Sequence, residues 1–121
     1  MSSPRHSVII PVYNRPREVQ ELLESLTLQT YKNFEVILIE DGSTSTCEEV
    51  YEEYSDKLVL SYYFKPNSGP GPSRNYGFEK AKGKYLVVFD SDCVVPAQYF
   101  QIVENFLQSE PLDAWGGPDR G

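Results

Sequence analysis

The 121-residue sequence has two cysteines and one each of histidine, tryptophan and methionine. Cys47 and Cys93 form no CxxC pair and are too few for a disulfide framework or a zinc site. The lone histidine, His6, precedes the first apolar run and is expected in a solvated tail, so no Ser-His-Asp or Cys-His catalytic set is available. No apolar run approaches the length that crosses a bilayer, and the start MSSPRHSVIIPVYN lacks a signal-peptide hydrophobic region. Clusters of Lys and Arg are missing too. Eleven basic residues face eighteen acidic ones, a net charge of −7 that argues against nucleic acid or an anionic lipid surface as partner. A small anionic ligand stays compatible with this charge, provided a metal or a local cation offsets the repulsion. The simplest reading is a reduced, cytoplasmic protein with no transmembrane segment, soluble or peripheral at a membrane.

What is present describes a globular chain. Nine Tyr and six Phe rule out the composition of a disordered segment, and the length suits a single domain over residues 1–121. Four short apolar runs read as strands: Ser7–Val12, Glu35–Ile39, Leu58–Phe64 and Tyr85–Phe89. Near-continuous β-branched and aromatic runs suit strands covered on both faces, as in a parallel sheet. Between them lie helical spacings: Val19, Leu22, Leu23 and Leu26, then Cys47, Val50, Tyr51 and Tyr54. Pro96 is followed by a third stripe, Phe100, Val103, Phe106 and Leu107, and Pro72–Lys82 is a weaker helix closed by Gly83. The order β-α-β-α-β-α-β-α predicts an α/β fold, an open, mostly parallel Rossmann-like sheet flanked by helices with right-handed crossovers. Leu112–Trp115 has the character of a further strand, followed by Gly116, Gly117 and Pro118.

Ligands of open α/β sheets bind beyond the carboxyl ends of the strands. Those ends carry Pro11, Tyr13 and Asn14; Glu40, Asp41, Gly42 and Ser43; and Asp90, Ser91 and Asp92. The third run leads into a Gly/Pro-rich loop, Lys65 to Pro72, and then Ser73, Arg74 and Asn75. Asp90 and Asp92 alternate as a strand ends, so both can aim oxygens at one Mg²⁺ or Mn²⁺; a simple turn is the other reading. Asp41 suits either a strand exit before a helix capped by Ser43 or Thr44, or an acceptor for a nucleobase imide N–H. Tyr13 is either a half-buried aromatic or a stacking platform for a flat base. Arg74 is either a surface partner for an acid or, with helix N-terminal N–H groups beside it, a contact for a nucleotide. Cys47 falls on an apolar stripe and reads as core, whereas Cys93 is either core or near the site. The loop is no P-loop, lacking Gly-Lys-Ser/Thr, and no dinucleotide fingerprint, which would follow the first strand.

Together, Val8 to Arg15, Glu40 to Thr44, Asn67 to Gly69 with Ser73 to Asn75, and Asp90 to Asp92 resemble the N-terminal half of family 2 glycosyltransferases with the GT-A fold. Four motifs in the right order and spacing carry this resemblance across nearly the whole chain. It implies that Pro11 and Tyr13 line a nucleobase pocket, with Asn14 beside them, and that Asp41 binds the base, usually uracil. Arg74 then helps hold the nucleotide, and Asp90 and Asp92 form a DxD motif that reaches the donor's ribose and diphosphate through a divalent metal, Mn²⁺ or Mg²⁺, with Asp92 the direct ligand. The implied reaction is inverting transfer of a hexose from a nucleoside-diphosphate sugar to a saccharide or lipid-linked acceptor, as in polysaccharide biosynthesis. The family's catalytic base and most of its acceptor pocket lie in the C-terminal half. They are therefore expected beyond Gly121, the present chain being the donor-binding portion with little or no turnover of its own and an open face suited to a homodimer. Glu40 and Ser73 depart from the commonest residues at their positions. A non-catalytic nucleotide-sugar-binding module is the rival reading. A sugar nucleotidyltransferase ranks lower, because Tyr13-Asn14-Arg15-Pro16 stands where that class carries a Gly-rich, Arg-containing loop.

Overall fold

The structure, a computed structural model, describes residues 4–109. Two strands form its centre: β1 (His6–Val12) and β2 (Phe34–Asp41), in which every residue but Pro11 is buried. This is the burial that their near-continuous apolar sequences require. The outer strands, β3 (Leu60–Lys65) and β4 (Tyr85–Val88), are only half-buried. All described pairings are parallel, in the order β3-β2-β1-β4. Helices α1 (Pro16–Thr27), α2 (Glu48–Tyr54), α3 (Pro70–Lys80) and α4 (Tyr99–Ser109) make the connections and follow the last strand. No helix among the described residues is long and apolar enough to cross a membrane.

Strand alternation sorts the core into two layers. Val8, Ile10 and Val12 of β1 and Val36 and Leu38 of β2 join one cluster with Val19, Leu22, Leu23 and Leu26 of α1, Tyr54 of α2 and Phe100 of α4. Ile9 points the other way, against Gly77 of α3. The two-sided arrangement follows from the sheet order. The chain steps from β1 to β2 to β3 in one direction and then returns past β1 to β4. With right-handed crossovers, reversing direction moves the connecting helix to the opposite face, and α3 is that helix. Between β1 and β4 the sheet therefore has its topological switch point.

His6 is not in a solvated tail. It opens β1, is 3% exposed, and its Nε2 lies 2.6 Å from Oε2 of Glu104, a buried residue of α4. Arg5 donates from Nε to the same oxygen at 2.6 Å. Burial pushes the Glu104 carboxyl upward, but Arg5 and His6 outweigh it and hold it below the ordinary carboxylate range. The partner arrives from the far end of the described chain, so nothing near His6 in sequence signals it. Cys47 is fully buried as expected, and Cys93 is half-buried against the same core. The candidate strand Leu112–Trp115 lies outside the described residues.

Candidate functional site

Beyond the carboxyl ends of the strands, over the switch point, lies a cavity of about 380 Å³. The end of β1 supplies Pro11, Val12 and Tyr13, with Arg15 just after, and β2 supplies Asp41. Pro70, Ser73 and Arg74 of α3 form another wall, and Asp90, Ser91 and Asp92, following β4, complete it. Six of the residues singled out from sequence thus meet in one place: Pro11, Tyr13, Asp41, Arg74, Asp90 and Asp92.

Asn14 has a different position. It adopts φ 56°, a left-handed conformation that Asn tolerates better than most residues, and it is not among the cavity's lining residues. Its N–H donates to Ser43 Oγ at 2.8 Å, and its Oδ1 accepts from the N–H groups of Thr44 and Ser45, both at 2.9 Å. Asn14 thereby ties the loop after β1 to the loop after β2. Ser43 and Thr44 do not cap α2 as expected, because that helix starts farther on, at Glu48. Its first turn is instead secured from β2, where fully buried Glu40 accepts from the Cys47 N–H at 2.9 Å and from Tyr62 Oη–H at 2.9 Å.

Asp41 is held on both oxygens. Oδ1 accepts from Lys65 Nζ at 2.8 Å and from the Ser68 N–H at 2.9 Å, while Oδ2 accepts from the Gly69 N–H at 2.9 Å. Burial raises the pKa of this carboxyl, but Lys65 and the two backbone donors prevail and keep it below its ordinary value. Gly42 makes the close approach possible: its φ is +69°, and a Cβ there would lie 2.6 Å from the Asn67 nitrogen. The β3–α3 loop is consequently folded onto the end of β2.

Tyr13 is 53% exposed, so its ring is available as a platform at the cavity rather than part of the core. Arg74 is exposed, and no described acid pairs with it. The N-terminus of α3 beside it is poor in donors, since Pro70 and Pro72 have no N–H and Ser73 N–H is directed to the Gly69 carbonyl at 3.3 Å. Any anion recognition on this wall falls to the guanidinium more than to the helix backbone. Asp90 and Asp92 are both exposed, and no described group pairs with either carboxylate. No group of three or more His, Cys, Asp or Glu side chains is gathered for a metal among the described residues. Two free carboxylates suit a Mg²⁺-like ion that takes its other ligands from phosphate oxygens and water. Three cavity features went unassigned in the sequence. Arg15 lines the cavity, Lys65 clamps Asp41 from behind it, and fully buried Ser73 has a hydroxyl with no described partner.

A parallel sheet in this order, with a crevice lined by charged side chains over its switch point, defines an open, Rossmann-like α/β protein whose ligand site lies beyond the carboxyl ends of its strands. The chain belongs to the family described as Glycosyl transferase family 2, whose model matches residues 7–120. An uncharacterized glycosyltransferase of Rickettsia felis is 40% identical over 102 residues, covering 84% of this chain and 17% of that protein. Glycosyltransferase GlyG of Streptococcus pneumoniae is 31% identical over 109 residues, 88% of this chain and 36% of GlyG. Among solved structures, S. aureus TarS 1-349 in complex with UDP-GlcNAc superposes with a TM-score of 0.83 at 33% identity, over 87% of this chain and 31% of that one. The mannosyltransferase PcManGT from Pyrobaculum calidifontis, in complex with GDP-Man and Mn²⁺, shares the fold at 23% identity with a TM-score of 0.78. The chain thus spans well under half the length of each of these proteins.

Proposed function

We propose that this chain is the donor-binding portion of an inverting glycosyltransferase that uses a nucleoside-diphosphate sugar, UDP-linked, and a divalent metal. The sugar goes to a saccharide or lipid-linked acceptor. One observation carries the reading: a platform ring, an ionised acceptor, and a guanidinium and two carboxylates that have no partner among the described residues surround a single cavity at the switch point. The 33% identity to a TarS structure in complex with UDP-GlcNAc supports the choice of donor class.

In this reading Tyr13 stacks on the base above Pro11, and Asp41 accepts the base's ring N–H. Asn14 keeps the loops after β1 and β2 together, so that platform and acceptor face each other. Arg74 and Arg15 meet the phosphates with charge-assisted hydrogen bonds. Asp90 and Asp92 would hold Mn²⁺ or Mg²⁺, Asp92 as the direct ligand. A cation bound there stabilises the negative charge that develops on the departing diphosphate. Titration of the chain with UDP, with and without Mn²⁺, tests the proposal by calorimetry. Metal-dependent binding that disappears in Asp92→Ala is the expected result, and absence of UDP binding in both conditions refutes it.

A further inference from the structure

We infer that Lys65 is a positioning residue of this donor site: it holds Asp41 as an acceptor with one open lone pair, so that the cavity prefers a base bearing a ring N–H over one bearing a ring acceptor there. The inference rests on the donor-site reading above and deepens it to the class of nucleotide.

Lys65 does not line the cavity. Strand register places it opposite Asp41, at the last pair of β2 and β3. An ammonium has three N–H donors, and all three are used within the protein. They go to Asp41 Oδ1 at 2.8 Å, to the Pro66 carbonyl at 2.9 Å and to Ser68 Oγ. Its side chain is 13% exposed and that of Asp41 is 8% exposed, so the pair is nearly out of water. Lys65 therefore has no donor to spare for a ligand. It acts by fixing what Asp41 can offer.

A carboxylate has about four lone-pair sites. Oδ1 is filled by Lys65 and the Ser68 N–H, and Oδ2 is half-filled by the Gly69 N–H. A single acceptor position on Oδ2 is left for the cavity. Kept ionised by its lysine, the group has no proton to donate. Uracil presents N3–H to such an acceptor, and guanine presents N1–H. Cytosine presents a bare N3, which meets the carboxylate lone pair against lone pair. Lys65 also holds Ser68 Oγ while Asp41 holds the Gly69 N–H, so the pair together fixes the residues just ahead of α3, the helix that carries Arg74.

Calorimetric titration of the chain with UDP and with CDP, both with Mn²⁺ at neutral pH, tests this. The wild type is expected to prefer UDP by roughly tenfold or more, the usual worth of a hydrogen bond to a charged acceptor. Lys65→Met leaves Asp41 buried without its cation, which favours the protonated carboxyl and gives it an O–H that cytosine N3 can accept. UDP affinity then falls, CDP affinity does not fall in step, and the preference narrows. Lys65→Gln keeps a donor without the charge and serves in its place if circular dichroism finds the Met variant unfolded. Asp41→Asn is expected to lose the preference altogether. Equal loss of both nucleotides on changing Lys65 marks a merely structural lysine and overturns the inference, as does a wild type that binds CDP as tightly as UDP. A wild type that binds neither refutes the donor-site reading itself.

Discussion

Asp41 performs two tasks with one carboxylate, and its protein partners set the terms of both. Toward the protein it satisfies Lys65 and the N–H groups of Ser68 and Gly69; toward the cavity it keeps one acceptor site. Its position at a strand exit was legible in the sequence, because the acids Glu40 and Asp41 follow four apolar residues, Val36 to Ile39, and end the run. The role of Lys65 was not, since it depends on which residue of β3 faces Asp41 across the sheet. Stability should report this pairing. Asp41→Ala leaves a nearly buried ammonium and two backbone donors without their acceptor and is expected to cost about 3 kcal/mol, measured by urea unfolding. The acid limb offers a second check. Asp41 and Glu104 both have folded-state pKa values below their ordinary ones, so their contribution is complete above the unfolded pKa and is lost as pH falls through the folded value. Stability should therefore be level near neutrality and decline below about pH 4. Asp41→Asn should show a shallower decline there than the wild type, and an identical slope would mean that Asp41 gains nothing from Lys65.

At the level of elements, the four apolar runs and the helical stripes were enough to place all eight segments in order. Where boundaries moved, competing geometry explains the shift. The helix read over Pro72–Lys82 occupies Pro70–Lys80, because Pro70 fits a first turn as well as Pro72 does. The third strand starts at Leu60 rather than Leu58, since Leu58 donates its N–H back to Tyr54 and completes the end of α2. His6 illustrates a different limit: a polar residue reads as surface until a distant carboxylate is brought to it. α3 is the element on which the site depends most, for it lies on β1 and carries Ser73 and Arg74 to the cavity. Its close approach requires Gly77. A Cβ at that position would lie 2.6 Å from Ile9 Cγ2 and 3.0 Å from Cγ1, both on a β-branched side chain fully buried in a central strand. Alanine improves intrinsic helix propensity by about 1 kcal/mol, whereas overpacking of this kind costs about 1–3 kcal/mol. Ile9 has no free rotation with which to yield, so the clash should win. Gly77→Ala is expected to lower the melting temperature and, by lifting α3, to weaken UDP binding although residue 77 lies outside the cavity lining. A variant of equal or higher melting temperature would show that α3 accommodates the methyl group.

For the molecule as a whole, the open parallel sheet was legible but its strand order was not. An alternating β-α pattern does not say toward which edge a crossover runs, and only the reversal before β4 creates the crevice in which the site lies. Charge is the other property of the whole. The chain carries a net −7, and its cavity combines Arg15 and Arg74 with Asp90 and Asp92, while Asp41 is already matched by Lys65. A diphosphate entering without a metal meets two carboxylates, unpaired among the described residues, at the place proposed for its own negative oxygens. With a divalent cation between them, the same carboxylates turn from repelling groups into ligands. Asp92→Asn separates these two effects, because it removes one charge with little change of shape. In EDTA the variant should bind UDP at least as tightly as the wild type, since one repulsion is gone. With Mn²⁺ the order should invert, the wild type gaining tenfold or more and the variant little, as expected when a hard cation loses an anionic ligand. Calorimetry of both proteins in both buffers gives the four affinities. If Asp92→Asn weakens UDP binding equally with and without Mn²⁺, Asp92 touches the nucleotide directly and the metal belongs elsewhere.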